Sequence, residues 1–211
     1  MTSARPTAPR PLAWVGLLGA AALFLAGCTN DSVPAKQSTG KATASLEAAG
    51  PRADAFRDAV DSDVSDFEAR ILSDGRVTPQ ELESAHEQVR RCLADSGLGI
   101  EYDPDGGFSL PALDGEYPDD FFENSDPILR AGEKRFDEYV TFLFEETRRN
   151  PQKLDDAKIT VACLRGAGLV GADYTERQWR KDYDADTLPF GDFDEAWTAC
   201  RLDPLGLWRE G

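Results

Sequence analysis

Two stretches, Cys92-Leu93-Ala94-Asp95-Ser96-Gly97-Leu98 and Cys163-Leu164-Arg165-Gly166-Ala167-Gly168-Leu169, share the pattern C-L-x-x-x-G-L, each at the end of an amphipathic run. Glycine takes the left-handed conformation without a Cβ clash, so a helix that meets it there is made to stop. The chain is thereby committed to helices that end one turn beyond a cysteine. Capping box, helix, Cys-Leu and Gly-Leu recur in that order and read as two diverged copies of one unit. Two copies do not make a solenoid, which needs at least three.

The apolar spacing fills in the rest. Phe56, Val60, Val64, Phe67 and Ile71 recur every three or four residues between acids, which predicts one helix from Ala53 to Leu72, ended by Ser73-Asp74-Gly75. Thr78-Pro79-Gln80-Glu81 combines an N-cap Thr, a Pro in the first turn and a Glu three residues after the cap. A second helix follows to Ser96, with Leu82, Ala85, Val89, Cys92 and Leu93 on one face. Leu98–Tyr102 and Phe108–Leu110 flank Asp103-Pro104-Asp105-Gly106-Gly107, the composition of a short β-hairpin. Pro111–Asp126 is acidic and aromatic with two prolines, and reads as an irregular loop packed by Tyr117, Phe121 and Phe122. Its functional reading is a binding loop with exposed aromatics.

Pro127–Arg149 is expected to be largely helical, with Phe136, Val140, Leu143 and Phe144 inward and Gly132 as its weak point. Asn150-Pro151 then opens a helix to about Gly166, Thr175–Gln178 opens another carrying Trp179 and Tyr183, and a last one begins near Asp192 with Phe193, Ala196, Trp197 and Cys200 on one side. The expected fold is mainly α, about five to six short helices with a small β-hairpin, two diverged repeats packed as one domain. The globular part is placed at 51–211, with candidate halves 51–125 and 126–211.

Ahead of it, residues 1–11 carry Arg5 and Arg10 and no acid, and Leu12–Gly27 is uncharged and apolar, the order of a secretory signal. A membrane span takes about 20 apolar residues, so removal is the better reading. The segment closes on Leu25-Ala26-Gly27-Cys28, which resembles the lipobox of bacterial lipoproteins. That resemblance implies a signal peptide of residues 1–27, cleavage between Gly27 and Cys28, and a diacylglyceryl thioether on Cys28, with further acylation of the new amino group as an option. Each buried methylene contributes roughly 0.8 kcal/mol, and two or more chains hold a protein on a bilayer. Thr29–Gly50 is rich in Ser, Thr, Ala, Gly and Lys, so 28–50 reads as the lipidated cysteine plus a flexible spacer, about 25 Å long as a coil. The expected location is the extracytoplasmic face of the cell membrane.

Loss of residues 1–27 takes the formal charge from −16 to −18, since it removes two arginines and no acid. A surface of that sign repels phosphate backbones and anionic headgroups, so nucleic acid is not a partner and the lipid supplies the membrane affinity.

The helix with D-G-x-V-T-x-x-E ahead of C-L-x-x-x-G, followed by an N-P helix ahead of a second such element, resembles uncharacterised cysteine-containing lipoproteins common in actinobacteria. The likeness covers most of residues 68–204, and no catalytic or ligand residue comes with it. In such proteins each half often has its own second cysteine, and here the first half has none between Gly97 and Asn150. In an oxidising compartment Cys163 with Cys200, both on apolar helix faces of the second half, is the expected disulfide; pairing of Cys92 with either remains the alternative. An unpaired Cys92 reads as a small buried hydrophobe beside Val89 and Leu93, or else as a reactive or intermolecular thiol.

Residues able to do chemistry are few. His86, between Glu83 and Glu87, reads as a surface helix position and is the only histidine, which excludes paired-histidine zinc sites. No nucleophile elbow, phosphate loop or dinucleotide fingerprint occurs. Asp74-Gly75 with Glu81 resembles half of a calcium loop, but Arg70 and Leu72 stand where oxygen ligands belong; in Asp182-Asp184-Asp186, Thr187 replaces the turn glycine and Phe193 the final glutamate. No metal or cofactor is expected. Trp179, Trp197 and Trp208 are candidates for a sugar-stacking platform. The expectation is a non-enzymatic binding or envelope-associated lipoprotein with a protein or cell-envelope partner. The alternatives are a small-ligand or carbohydrate binder and an envelope hydrolase using acidic residues.

Overall fold

The computed structural model describes residues 46–104, 106–117, 119 and 121–209. The signal segment and Cys28 lie outside them. Among the described residues are a 3-10 helix (Leu46–Arg52), eight α-helices and one hairpin. The helices are α1 (Ala53–Asp61), α2 (Asp66–Leu72), α3 (Pro79–Ala94), α4 (Phe121–Phe136), α5 (Val140–Arg149), α6 (Asp156–Gly166), α7 (Glu176–Asp184) and α8 (Glu195–Leu202); β1 (Glu101–Tyr102) and β2 (Phe108–Ser109) pair antiparallel. The fold is mainly α with a small hairpin, as the spacing predicts. No described helix is long and apolar enough to cross a membrane.

Local chemistry sets the boundaries. The expected helix 53–72 is two, because Asp63 adopts φ +50° and the Ser65 hydroxyl accepts the Glu68 N–H, capping α2 afresh. The Thr78–Glu81 capping box is present in both directions: the Thr78 hydroxyl accepts from Glu81 N at 3.2 Å, and the Glu81 carboxylate accepts from Thr78 N at 2.8 Å. The two C-L-x-x-x-G-L copies are one backbone motif. Gly97 and Gly168 sit at φ +75° and +74°, and Leu98 N and Leu169 N donate back to Leu93 O and Leu164 O at 3.2 and 3.0 Å.

Three further features concern boundaries. The 3-10 helix Leu46–Arg52 includes residues read as the end of the spacer: Ala49 is buried, and a Cβ on Gly75 would lie 2.9 Å from the Ala49 Cβ, so the helix is seated on the Asp74-Gly75 turn. Asn150 does not open α6 but closes α5 as its C-cap. Its side chain bonds both backbone groups of Leu154, and Asp155 caps α6 instead. Val140 and Leu143 of α5 and Leu129 of α4 are buried with the N-terminal elements.

The core has three parts. Phe56, Leu72, Ala85 and Leu143 centre one, Val89, Leu93, Leu98 and Leu129 the second, and Val161, Leu164, Trp179 and Trp197 of α6–α8 the third. Cys163 and Cys200 form a disulfide that joins α6 to α8, with Cα atoms 5.6 Å apart. Cys92 is buried beside Val89 and Leu93, and no described cysteine is a free thiol, so the reading of Cys92 as an unpaired residue is not met. Across the α3–α4 contact the residue that faces it is Gly132, where a Cβ would lie 3.4 Å from the Cys92 Sγ. The third core part is tied to the rest by Arg149 of α5, whose guanidinium donates to Arg201 O in α8 at 2.6 Å and to the Asp156 carboxylate in α6. Arg52 holds the end of α5 by donating to Asn150 O at 2.9 and 3.1 Å and to Glu146 at 2.8 Å.

Candidate functional site

The hairpin, α4 and α5 enclose an open cleft of about 610 Å³, walled by Tyr102 and Phe108 of the hairpin, Glu133 and Asp137 at the end of α4, and Thr141 and Phe142 at the start of α5. Between α4 and α5 the N-cap position is Tyr139, and Asp137, two residues ahead of it, holds the first turn of α5: its carboxylate accepts the Thr141 N–H at 2.8 Å and the Thr141 hydroxyl at 2.7 Å. Gly132, the expected weak point, lies inside α4.

His86 belongs to this cluster, which corrects its assignment to the surface. The residue is 8% exposed, its ring stacks on Tyr102 at 3.5 Å, and its Nε2 lies 2.9 Å from Thr141 Oγ1. The spacing carried the signal: His86 is four residues after Leu82 and three before Val89, on the buried stripe of α3. Burial pushes the His86 imidazole down to about 4 and the Asp137 carboxyl up to about 6. At neutral pH the imidazole is therefore uncharged and the carboxylate charged. The network assigns Nε2–H as donor to Thr141, which passes its own proton donation to Asp137.

This arrangement joins the start of α5 to α3 and the hairpin. Asp137 touches Thr141, not the far nitrogen of His86, and both its oxygens are engaged in starting α5. That is not the orienting geometry of a nucleophile, base and acid relay. Glu68, fully buried nearby, accepts the Tyr139 N–H, and burial raises its carboxyl to about 7. It does not line the cleft.

The cysteine pair and the tryptophans serve packing. Trp179 and Trp197 are buried in the α6–α8 core, so they do not form a sugar platform; Trp208 lies with its ring under the Arg148 guanidinium at 3.7 Å. Asp74 accepts the Arg76 N–H and Glu81 is spent on its cap, which leaves neither to a calcium ion. Among the described residues no group of three or more His, Cys, Asp or Glu is placed to hold a metal.

The exposed apolar residues lie elsewhere. Phe122 is 95% exposed and Tyr117 and Leu113 are each 54% exposed, in the segment expected to pack as a loop. Phe121 opens α4 and turns toward the core, while its ring meets Tyr117 at 4.4 Å and Phe122 at 5.2 Å. The result is a short aromatic run with one end anchored and the other bare. Phe193, expected on the inner face of the last helix, is 97% exposed because Asp194 caps α8 one residue later. No known protein family, characterised protein or solved structure matches the chain.

Proposed function

We propose that this chain is a lipid-anchored binding protein of the extracytoplasmic membrane face, not an enzyme, with Cys28 carrying the anchor and a protein or cell-envelope component as partner. The anchor reading rests on the lipobox-like Leu25-Ala26-Gly27-Cys28 after an uncharged apolar segment. The observation that carries the binding reading is the bare Tyr117–Phe122 run: large apolar side chains held in water by an otherwise strongly acidic chain mark a surface meant to be covered. The likeness to actinobacterial cysteine-containing lipoproteins supports the same class. An envelope hydrolase finds less support, since the cleft carboxylate of Asp137 is consumed by α5 and Glu68 is sealed away.

A second reading, small-ligand binding, is favoured by the cleft itself, whose volume of about 610 Å³ suits a small molecule between Phe108 and Phe142. It ranks below the first because the cleft is open.

The test has two arms. Intact mass of the native protein is expected to show an acyl increment on a chain starting at Cys28, and Cys28→Ser is expected to release the protein from the membrane fraction. A peptide joining Cys28 to Cys92 by a disulfide overturns the anchor, because that bond uses the sulfur the thioether requires. For the binding arm, a photo-crosslinking residue at Phe122 is expected to capture a macromolecule in intact cells; a chain that crosslinks to nothing there loses the binding reading.

A further inference from the structure

We infer that the surface carrying Tyr117 and Phe122 docks a basic, amphipathic segment of a partner protein; this rests on the binding reading above and names the chemistry of its partner. The argument comes from charge. From Glu101 to Leu129 the chain holds Glu101, Asp103, Asp105, Asp114, Glu116, Asp119, Asp120, Glu123 and Asp126 and not one Lys or Arg. The nearest cation along the chain, Arg130, is paired to Asp126 at 2.8 Å. Shorter acid runs without a base occur at Asp58–Glu68 and Asp182–Glu195, but neither matches this one in length or number of acids, and on α3 the acids are interleaved with bases, where Glu83 and Glu87 meet Arg90 and Arg91.

Within this stretch lie Tyr117 and Phe122, bare, and Phe121, which fixes them to the α4 end of the second core part. Glu116, Asp119 and Glu123 are sequence neighbours of the exposed rings, and all three are exposed. An apolar centre rimmed by charge of one sign selects its complement: apolar side chains for the rings, Lys or Arg for the rim. Acting within a Debye length of about 8 Å, the rim also speeds encounter with a cation.

The same rim disfavours the bilayer. To insert Phe122, Glu123 and Asp119 must approach headgroups that are themselves anionic, and aromatic residues used for membrane contact are flanked by Lys and Arg rather than by carboxylates. It disfavours a second copy as well, because an isologous contact sets like charges face to face.

The experiment places a photo-crosslinking residue at Phe122 of the full chain in intact cells and sequences the peptide captured. The expected capture is a protein segment with Lys or Arg interleaved with apolar residues. Its yield is expected to fall at least fivefold in 0.5 M salt, and at least fivefold with Tyr117→Ser, while Phe193→Ser, at the other bare phenylalanine, leaves it unchanged. Captured protein segments without an excess of Lys and Arg, or a yield indifferent to salt, overturn the basic partner while leaving the binding reading in place. Adducts with lipid alone or with other copies of this chain overturn the protein partner, and no adduct at all overturns both readings.

Discussion

The Glu68 carboxyl accepts the backbone N–H of Tyr139 at 2.9 Å across 71 residues of chain, and its other oxygen is buried with no partner. An ionised carboxylate is poorly served there, and burial raises the group from 4.5 to about 7. The folded chain therefore holds this proton more tightly than the unfolded one. Its stability is expected to fall as pH rises from 4.5 to about 7 and to level beyond. Asp137 works in the same sense up to about 6, and His86, pushed down to about 4, works in the opposite sense. Glu68→Gln isolates the first contribution: urea melts at pH 8 are expected to show a gain of up to about 3 kcal/mol over the parent, shrinking to nothing near pH 4.

Gly132 predicts a change of sign between two substitutions. A Cβ there meets Cys92 Sγ and Leu93 Cδ1 at 3.4 Å, an ordinary contact, so Gly132→Ala is expected to gain about 0.5 kcal/mol through helix propensity. Gly132→Leu has no room between α3 and α4 and is expected to lose about 2 kcal/mol. Thermal melts of the two variants decide it.

Gly75 is expected to tolerate nothing larger. It takes φ +77°, and a Cβ would fall 2.9 Å from the Ala49 Cβ and 3.0 Å from the Ala49 backbone nitrogen. Gly75→Ala is expected to cost about 2 kcal/mol and to unseat the 3-10 helix. Limited proteolysis within residues 46–52 reads that release directly.

The Cys163–Cys200 bond closes a loop with a sequence separation of 37, for which the chain-entropy estimate gives about 4 kcal/mol. Non-reducing peptide mapping is expected to recover this pair. In Cys163→Ser with Cys200→Ser, hydrogen exchange is expected to rise across α6–α8 more than in α3.

Asp203 holds the tail. Its carboxylate accepts the N–H groups of Leu207, Trp208 and Arg209 at 2.7, 2.9 and 2.8 Å. Asp203→Ala is expected to cost about 2 kcal/mol and to expose those amides to exchange, with Trp208 leaving Arg148.

Helix identity was legible where one residue type decides it. The Thr78 and Thr175 caps, the Gly97 and Gly168 stops and the Cys163–Cys200 pair follow from side-chain chemistry that acts within a turn or from apolar faces in one half. What escaped the sequence depends on partners far along the chain. His86 is buried because Tyr102 and Thr141 arrive to cover it, and Asn150 closes α5 rather than opening α6, its side chain taken by Leu154 and its carbonyl held by Arg52. The split at Asp63 and the restart at Asp137 were visible as cap-forming residues, yet the apolar period runs through both and hides them. The candidate face was legible in kind, as an acidic aromatic loop. Which ring would be bare was not, since Phe121 and Phe122 differ only in the direction that the first turn of α4 gives them.

Arg52 ends the 3-10 helix, and its guanidinium grips the carbonyl of Asn150, the residue that closes α5. Loss of the 3-10 helix therefore also strips the end of α5 of its donor, so fraying at Leu46–Arg52 is felt 98 positions along the chain.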